Sequence, residues 1–224
     1  MKLYTFAGST TCRPVMFFAA DAGIKLEYEN IDLMTGAHYK PTFAAINPNK
    51  CVPVLEDGSF RLTESSAILK YLADSVNSPA YPKDLKARAR VNEAMDWFNT
   101  GFYRSHGYGM CYPQLLDHLK LTNPQSNKDL IESGKAHAEK DLGVLEQKFA
   151  ASGEPYLCGK EVTIADYFGY GLLSVGEIVG NTLEAYPNIR RWYDRMQSRP
   201  NWQTTNAGLQ QWAAAVKGPS YVHI

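Results

Sequence analysis

The sequence predicts a two-part protein: an α/β unit of order β-α-β followed by ββα, then an all-α helical domain. Three observations carry this. Strand-like alternation and a hairpin signal lie before Val76, two prolines then interrupt the chain at Asn77-Ser78-Pro79-Ala80-Tyr81-Pro82, and beyond them apolar residues recur at helical spacing.

Lys2-Leu3-Tyr4-Thr5-Phe6 has strand character, Ala7 to Thr11 reads as a turn, and Arg13 to Ala22 has helical spacing closed by Gly23. Leu26 to Leu33 alternates as a second strand, most economically joined to the first as a parallel βαβ. A polar loop around Thr35-Gly36-Ala37-His38 follows. Val52-Pro53-Val54-Leu55 and Phe60-Arg61-Leu62 flank Glu56-Asp57-Gly58-Ser59, whose Asp-Gly signals a hairpin, and the second arm runs into a helix from Ser65 to Ala73. The expected domains are 1–78 and 87–224, with a linker at 79–86. Helices are expected at Leu85 to Phe102, Lys128 to Phe149, Thr163 to Ile178 and Asn188 to Ser198, punctuated by Pro113, Pro124, Pro155 and Pro187. Thr163 and Asp166 have capping-box spacing, and Val216 to Ile224 reads as a frayed tail or lid.

Composition excludes several classes. The 224 residues carry 23 basic and 23 acidic side chains, so no global field draws the chain to nucleic acid or acidic membrane. A hydrophobic share of 45% and a charged share of 21% suit a globular fold rather than disorder or fibre. No secretory signal is expected at the N-terminus, and no apolar run approaches the roughly 18 residues of a membrane span. Cys12, Cys51, Cys111 and Cys158 are scattered without a Cys-x-x-Cys pair, so neither a metal site nor a dithiol motif is expected, and a reducing cytoplasm is the simplest location.

Chemistry gathers in three loops of the first unit. Ser9 lies in the turn before the first helix, where orphan N–H groups and the helix dipole favour an anion; on spacing alone, a plain turn-forming role is the commoner reading. At Val52-Pro53 the sequence leaves cis or trans open. A cis bond would present the Val52 N–H and C=O to an extended peptide. Glu64, Ser65 and Ser66 stand at a strand-to-helix junction, which is either a helix cap or a carboxylate site. His38 and Lys50 are cationic groups in the adjoining loops. Together the set suits a small peptide with acidic ends and one group to be activated.

Gly8-Ser9-Thr10-Thr11-Cys12-Arg13, Asn47-Pro48-Asn49-Lys50-Cys51-Val52-Pro53-Val54-Leu55 and Leu62-Thr63-Glu64-Ser65-Ser66-Ala67-Ile68 carry a resemblance to the cytosolic glutathione transferases, nearest the serine-type theta class and its bacterial and insect relatives. Tyr81-Pro82-Lys83-Asp84-Leu85 and Leu157-Cys158-Gly159-Lys160 extend it into the helical part. The resemblance implies a thioredoxin-like first domain, an all-α second domain, a homodimer, and glutathione as cosubstrate. It implies Ser9 as the catalytic residue. Val52, ahead of a cis Pro53, would pair with the cysteinyl backbone of glutathione, Glu64 and Ser65 would hold its γ-glutamyl end, and His38 and Lys50 would lie near its glycine carboxylate. Cys51 stands where the theta pattern often has lysine, and Ser66 where insect relatives often have arginine.

A serine hydroxyl is too weak a base to take a thiol proton, so its expected role is to donate a hydrogen bond to the thiolate. The thiolate would then attack a small hydrophobic electrophile such as an alkyl halide, epoxide or activated alkene. Tyr103, Tyr108, Met110 and Tyr112 are the candidate lining of that electrophile's pocket, with core packing as the competing explanation, and their glycine neighbours suggest a kinked or open helix end. Two other functions fit the same fold: a disulfide oxidoreductase using Cys12, and a binding module without catalysis.

Overall fold

The computed structural model describes residues 1–216 and 220–224. Its single sheet has the order β2-β1-β3-β4, built from β1 (Lys2–Thr5), β2 (Glu27–Asn30), β3 (Val54–Asp57) and β4 (Phe60–Leu62). β1 and β2 are parallel across α1 (Cys12–Asp21), as expected, and β3 is antiparallel to both β1 and β4. Period-two alternation divides the core. Leu3 and Leu55 face Val15, Phe18 and Leu69, the last on α3 (Ser65–Ser75), while Tyr4 and Val54 face Cys12 and Phe43, the latter on α2 (Pro41–Ala44). Gly58 supplies the left-handed φ of 61° that the hairpin turn needs.

The second strand is shorter than expected. Glu27 to Asn30 are all exposed on β2, the edge strand, which Lys2 holds by ion pairs to Glu27 at 3.6 Å and Glu29 at 3.5 Å. Ile31 and Leu33 pack on the smaller core only after the strand has ended.

Beyond α3 every described element is helical. α4 (Leu85–Asp96) is capped by Asp84, whose Oδ1 accepts the Ala87 N–H at 2.9 Å. The expected α-helix to Phe102 changes pitch at Trp97. It continues as π-helix over Trp97–Phe102 and Arg104–Cys111 before α5 (Tyr112–Leu115), with Pro113 in the first turn of α5 rather than ending a helix. The glycines here do not open the chain. A Cβ on Gly134 would lie 2.4 Å from the Gly109 carbonyl carbon, so the pair lets the π-helix lie backbone to backbone on α6 (Pro124–Ser152).

α7 (Ile164–Ser174) is buried along its whole length and is followed by a break at Val175, then α8 (Gly176–Val179), where one helix to Ile178 was expected. Its capping box is present: the Asp166 carboxylate accepts the Thr163 N–H at 2.8 Å, and also the Leu157 N–H at 2.8 Å and Trp192 Nε1 at 2.9 Å. α9 (Pro187–Gln197) matches expectation, whereas α10 (Trp202–Ala215) has no counterpart in the sequence reading.

The two parts are pressed together along α1. A Cβ on Gly171 of α7 would lie 2.2 Å from Pro14 Cγ, and Arg13, wholly buried, donates to Asn206 Oδ1 of α10 at 2.7 Å. Asp21 accepts from Tyr167 Oη at 2.8 Å, Arg199 Nε at 2.5 Å and Asn201 Nδ2 at 2.8 Å. The chain end is pinned rather than frayed. Gln114 exchanges two hydrogen bonds with the Val222 backbone, Lys135 Nζ donates to His223 O at 2.7 Å, and the Ile224 N–H donates to Asn181 Oδ1 at 2.9 Å. Residues 217–219 of the expected tail lie outside the described residues. Among the described residues no helix is long and apolar enough to cross a membrane.

Candidate functional site

Strand direction brings the predicted residues to one end of the sheet. Tyr4 pairs with Val54 and Leu62 with Leu55, so the chain leaving β1, entering β3 and leaving β4 is at the same edge. Ser9, Val52 and the Glu64-Ser65 pair occupy those three segments. β2, parallel to β1, delivers the His38 loop to that edge as well. The N-termini of α1 and α3 open there, where unpaired N–H groups and helix dipoles favour negative charge.

Ser9 is half-buried in the β1–α1 turn, its backbone N–H donating to Phe6 O at 2.9 Å. Its Oγ accepts the Cys12 N–H at 3.3 Å and lies 3.2 Å from Thr11 Oγ1, which donates to Val52 O at 3.2 Å. Each hydroxyl has one proton. Thr11 commits its own to Val52, so Ser9 is the donor in the Ser9–Thr11 contact. Thr11 escaped the sequence reading because its part depends on a partner 41 residues away.

Val52-Pro53 is cis, and Val52 is 8% exposed. Among the described residues the Val52 N–H has no intramolecular partner. The loop ahead of it is organised by buried Asn47, another residue the sequence reading missed: its Nδ2 donates to Cys51 O at 2.7 Å, and its Oδ1 accepts the Asn49 N–H at 3.0 Å. Lys50 and Glu64 both take positive φ, at 55° and 65°, a conformation that costs a non-glycine residue about 1–3 kcal/mol. The exposed Glu64 side chain is thereby turned out beside buried Ser65 at the start of α3.

His38 and Lys50 meet around Tyr39. The His38 ring centroid is 3.9 Å from that of Tyr39, and Lys50 Nζ lies 6.0 Å from the same ring. His38 Nδ1 is buried without a hydrogen-bond partner. Burial, and secondarily the neighbouring His118, holds the His38 pKa below its usual value.

The four candidate pocket residues separate. Tyr108 is 53% exposed and overlooks the first domain: partial burial, then the neighbouring ionisable groups of Cys51 and Glu64, push its phenol up. Met110 has no exposed surface and packs in the core, and Tyr103 and Tyr112 are both buried at 7%. Cys12 also has no exposed surface, and burial raises its thiol pKa. Buried Cys111 and Asn181 both approach the Nε2 of His106, at 3.8 and 3.0 Å, so this trio lacks the opposite-nitrogen arrangement of a nucleophile–base–orienter set. Among the described residues no group of three His, Cys, Asp or Glu is placed to hold a metal. A partly open hollow of about 100 Å³, lined by Glu177, Asn181 and Arg190, lies in the helical domain.

The family model described as "Glutathione S-transferase, N-terminal domain" matches residues 1–74, and "Glutathione S-transferase, C-terminal domain" matches residues 111–200. The chain belongs to the glutathione S-transferase family. Within it, the chain is 33% identical over 206 residues to mouse glutathione S-transferase theta-1, covering 88% of this chain and 82% of that protein. It is 35% identical over 201 residues to human glutathione S-transferase theta-2, covering 88% and 81%. A crystal structure of human glutathione transferase theta-2, described as a complex with glutathione and an unknown ligand, superposes with a TM-score of 0.84 at 32% identity, covering 98% of this chain and 92% of that one. A delta-class glutathione transferase from Nilaparvata lugens gives 0.80 at 30% identity, covering 95% and 96%. The thioredoxin-like first domain and all-helical second domain expected from the sequence are those of this family.

Proposed function

We propose that the chain is a serine-type glutathione transferase that conjugates glutathione to small hydrophobic electrophiles, such as alkyl halides, epoxides and activated alkenes. The observation that carries this reading is the Ser9–Thr11–Val52 hydroxyl chain, which ties the candidate thiol-facing residue to the backbone that would receive the cysteinyl peptide. Residues 1–78 bind glutathione, 79–86 link, and 87–224 supply the electrophile's side.

The free Val52 N–H and its C=O take the cysteinyl backbone as a short added strand. Glu64 and the Ser65 end of α3 take the γ-glutamyl group. Lys50 and His38 take the glycine carboxylate, and the unpartnered His38 Nδ1 supports a polar ligand there. When the thiol arrives, the Ser9 proton turns from Thr11 to sulfur. A hydrogen bond to a charged group is worth about 1.5–3 kcal/mol against about 0.5–1.5 for the neutral one given up, so the turn is favourable. Net of the bond given up, the exchange stabilises the thiolate by about 1 kcal/mol and lowers the thiol pKa by about one unit, and the α1 dipole adds about 0.3–1 kcal/mol. Tyr108, the exposed member of its cluster, is the surface the electrophile meets.

Buried Cys12 cannot reach a substrate disulfide, which removes support from the oxidoreductase reading. The four cysteines are free, which suits a cytoplasmic protein. Phe60 at 47% and Leu85 at 81% exposure are apolar surface for a second copy of the chain to cover in a homodimer.

Calorimetry with glutathione, followed by a panel of dihalomethane, epoxide, isothiocyanate and chlorodinitrobenzene, tests the reading. Binding and conjugation of at least one electrophile are expected. Absence of glutathione binding overturns it in favour of a non-catalytic module.

A further inference from the structure

Thr10, Tyr112 and Tyr103 form a chain of hydroxyls closed to water. Tyr112 Oη donates to Thr10 Oγ1 at 2.7 Å, and Tyr103 Oη lies 2.6 Å from Tyr112 Oη. The three residues are 3%, 7% and 7% exposed. Tyr112 gives its one proton to Thr10, so Tyr103 is the donor to Tyr112, and the chain runs from the helical domain into the β1–α1 turn. Burial drives both phenol pKa values upward, which keeps them protonated and the chain in this polarity at neutral pH.

The rings are held as firmly as the hydroxyls. Tyr103, Tyr108 and Tyr112 make three mutual edge contacts, with centroids 5.3, 6.1 and 5.2 Å apart. Gly107 leaves room for the packing, since a Cβ there would lie 2.6 Å from the Tyr103 ring. By contrast, the side-chain hydrogen bonds of Ser9 and Thr11 are long, between 3.2 and 3.3 Å. The Tyr112 bond to Thr10 is the short one.

We infer that Tyr112 is a positioning residue for the transferase reaction: through Thr10 it fixes the turn that aims the Ser9 hydroxyl at the glutathione sulfur, with Tyr103 supporting it from behind. The inference rests on the Ser9 reading above and gives Tyr103 and Tyr112 a different task from lining the electrophile pocket. A hydrogen bond weakens steeply with misalignment, so a turn free to shift by a fraction of an ångström stabilises the thiolate less. Because Tyr108 packs on both rings, an electrophile resting on it touches the cluster that sets the Ser9 turn.

Tyr112→Phe removes one oxygen and keeps the ring. With glutathione bound, the readouts are the thiol pKa from thiolate ultraviolet absorbance, kcat with chlorodinitrobenzene, and the glutathione Kd. Loss of one neutral hydrogen bond's worth of positioning is expected to raise the thiol pKa by about half to one unit and lower kcat below that pKa about threefold to tenfold, with Kd held within about twofold. Thr10→Val should reproduce the shift, and Thr10→Ser, which keeps the acceptor, should restore the wild-type thiol pKa. In a Ser9→Ala background Tyr112→Phe should add no further shift. A thiol pKa unmoved by both Tyr112→Phe and Thr10→Val, while Ser9→Ala moves it, overturns the positioning role and leaves the Ser9 reading standing. An equal Tyr112→Phe shift in both backgrounds also overturns it. If Ser9→Ala itself moves nothing, the underlying reading fails and the inference with it.

Discussion

Lowering the pH from 7 to 5 should weaken the helical domain through a single ring. His106 has no exposed surface, stacks on Phe102 at 4.7 Å and presents Nε2 to Asn181 at 3.0 Å, while its Nδ1 is buried without a partner. Burial lowers its pKa from 6.5 to about 4. The folded chain therefore keeps the ring neutral where the unfolded chain binds a proton. This contribution is complete above pH 6.5 and is lost as pH falls toward 4. Proton linkage between these two values gives a loss of about 2 kcal/mol at pH 5, approaching about 3 kcal/mol below pH 4. Urea unfolding followed by the fluorescence of the four tryptophans, Trp97, Trp192, Trp202 and Trp212, measures it at each pH. His106→Asn lowers stability at neutral pH but removes the titration, so wild type should lose about 2 kcal/mol more than the variant between pH 7 and 5. Equal losses in the two proteins would refute the assignment.

Gly134→Ala sets a Cβ 2.4 Å from the Gly109 carbonyl carbon, backbone that cannot step aside, and overpacking of this kind costs about 1–3 kcal/mol or more. A clear fall in Tm is expected, and an unchanged Tm would show that α6 and the π-helix are not in this contact. Cys12→Ala tests the thiol alternative: with Cys12 buried and its pKa raised, conjugation and hydroxyethyl-disulfide reduction should both stay within about twofold of wild type. Loss of the reductase activity alone would return Cys12 to the chemistry.

What the sequence made legible was what local pattern controls. The strand at Lys2–Thr5, the Asp57-Gly58 turn and the Thr163–Asp166 spacing each reappear in place, and the three loops that carry candidate residues meet at one end of the sheet. What stayed hidden depends on distant partners or on small changes of pitch. A π-helix and an α-helix draw on the same residues, so nothing between Trp97 and Cys111 signals the change. Gly107 and Gly109 have the composition of a helix end, yet they make room for the Tyr103 ring and the Gly134 backbone. Met110 has the chemistry of a pocket residue and no exposed surface. α10 starts in the polar run Gln203-Thr204-Thr205-Asn206, whose Asn206 faces inward to buried Arg13, so its helical pattern reads as loop. Thr11 and Asn47 gain their importance from Val52 and Cys51, contacts that only the folded chain makes.

The claim on which the functional account turns is that the Ser9 hydroxyl leaves Thr11 to hold the glutathione thiolate. The most direct measurement is a pH titration of thiolate absorbance with glutathione bound, in wild type and Ser9→Ala. Wild type should show a thiol pKa about one to two units below the free value of about 8.5, and Ser9→Ala should return most of that shift with little change in glutathione Kd. A Ser9→Ala protein whose bound thiol titrates with the wild-type pKa would contradict the account.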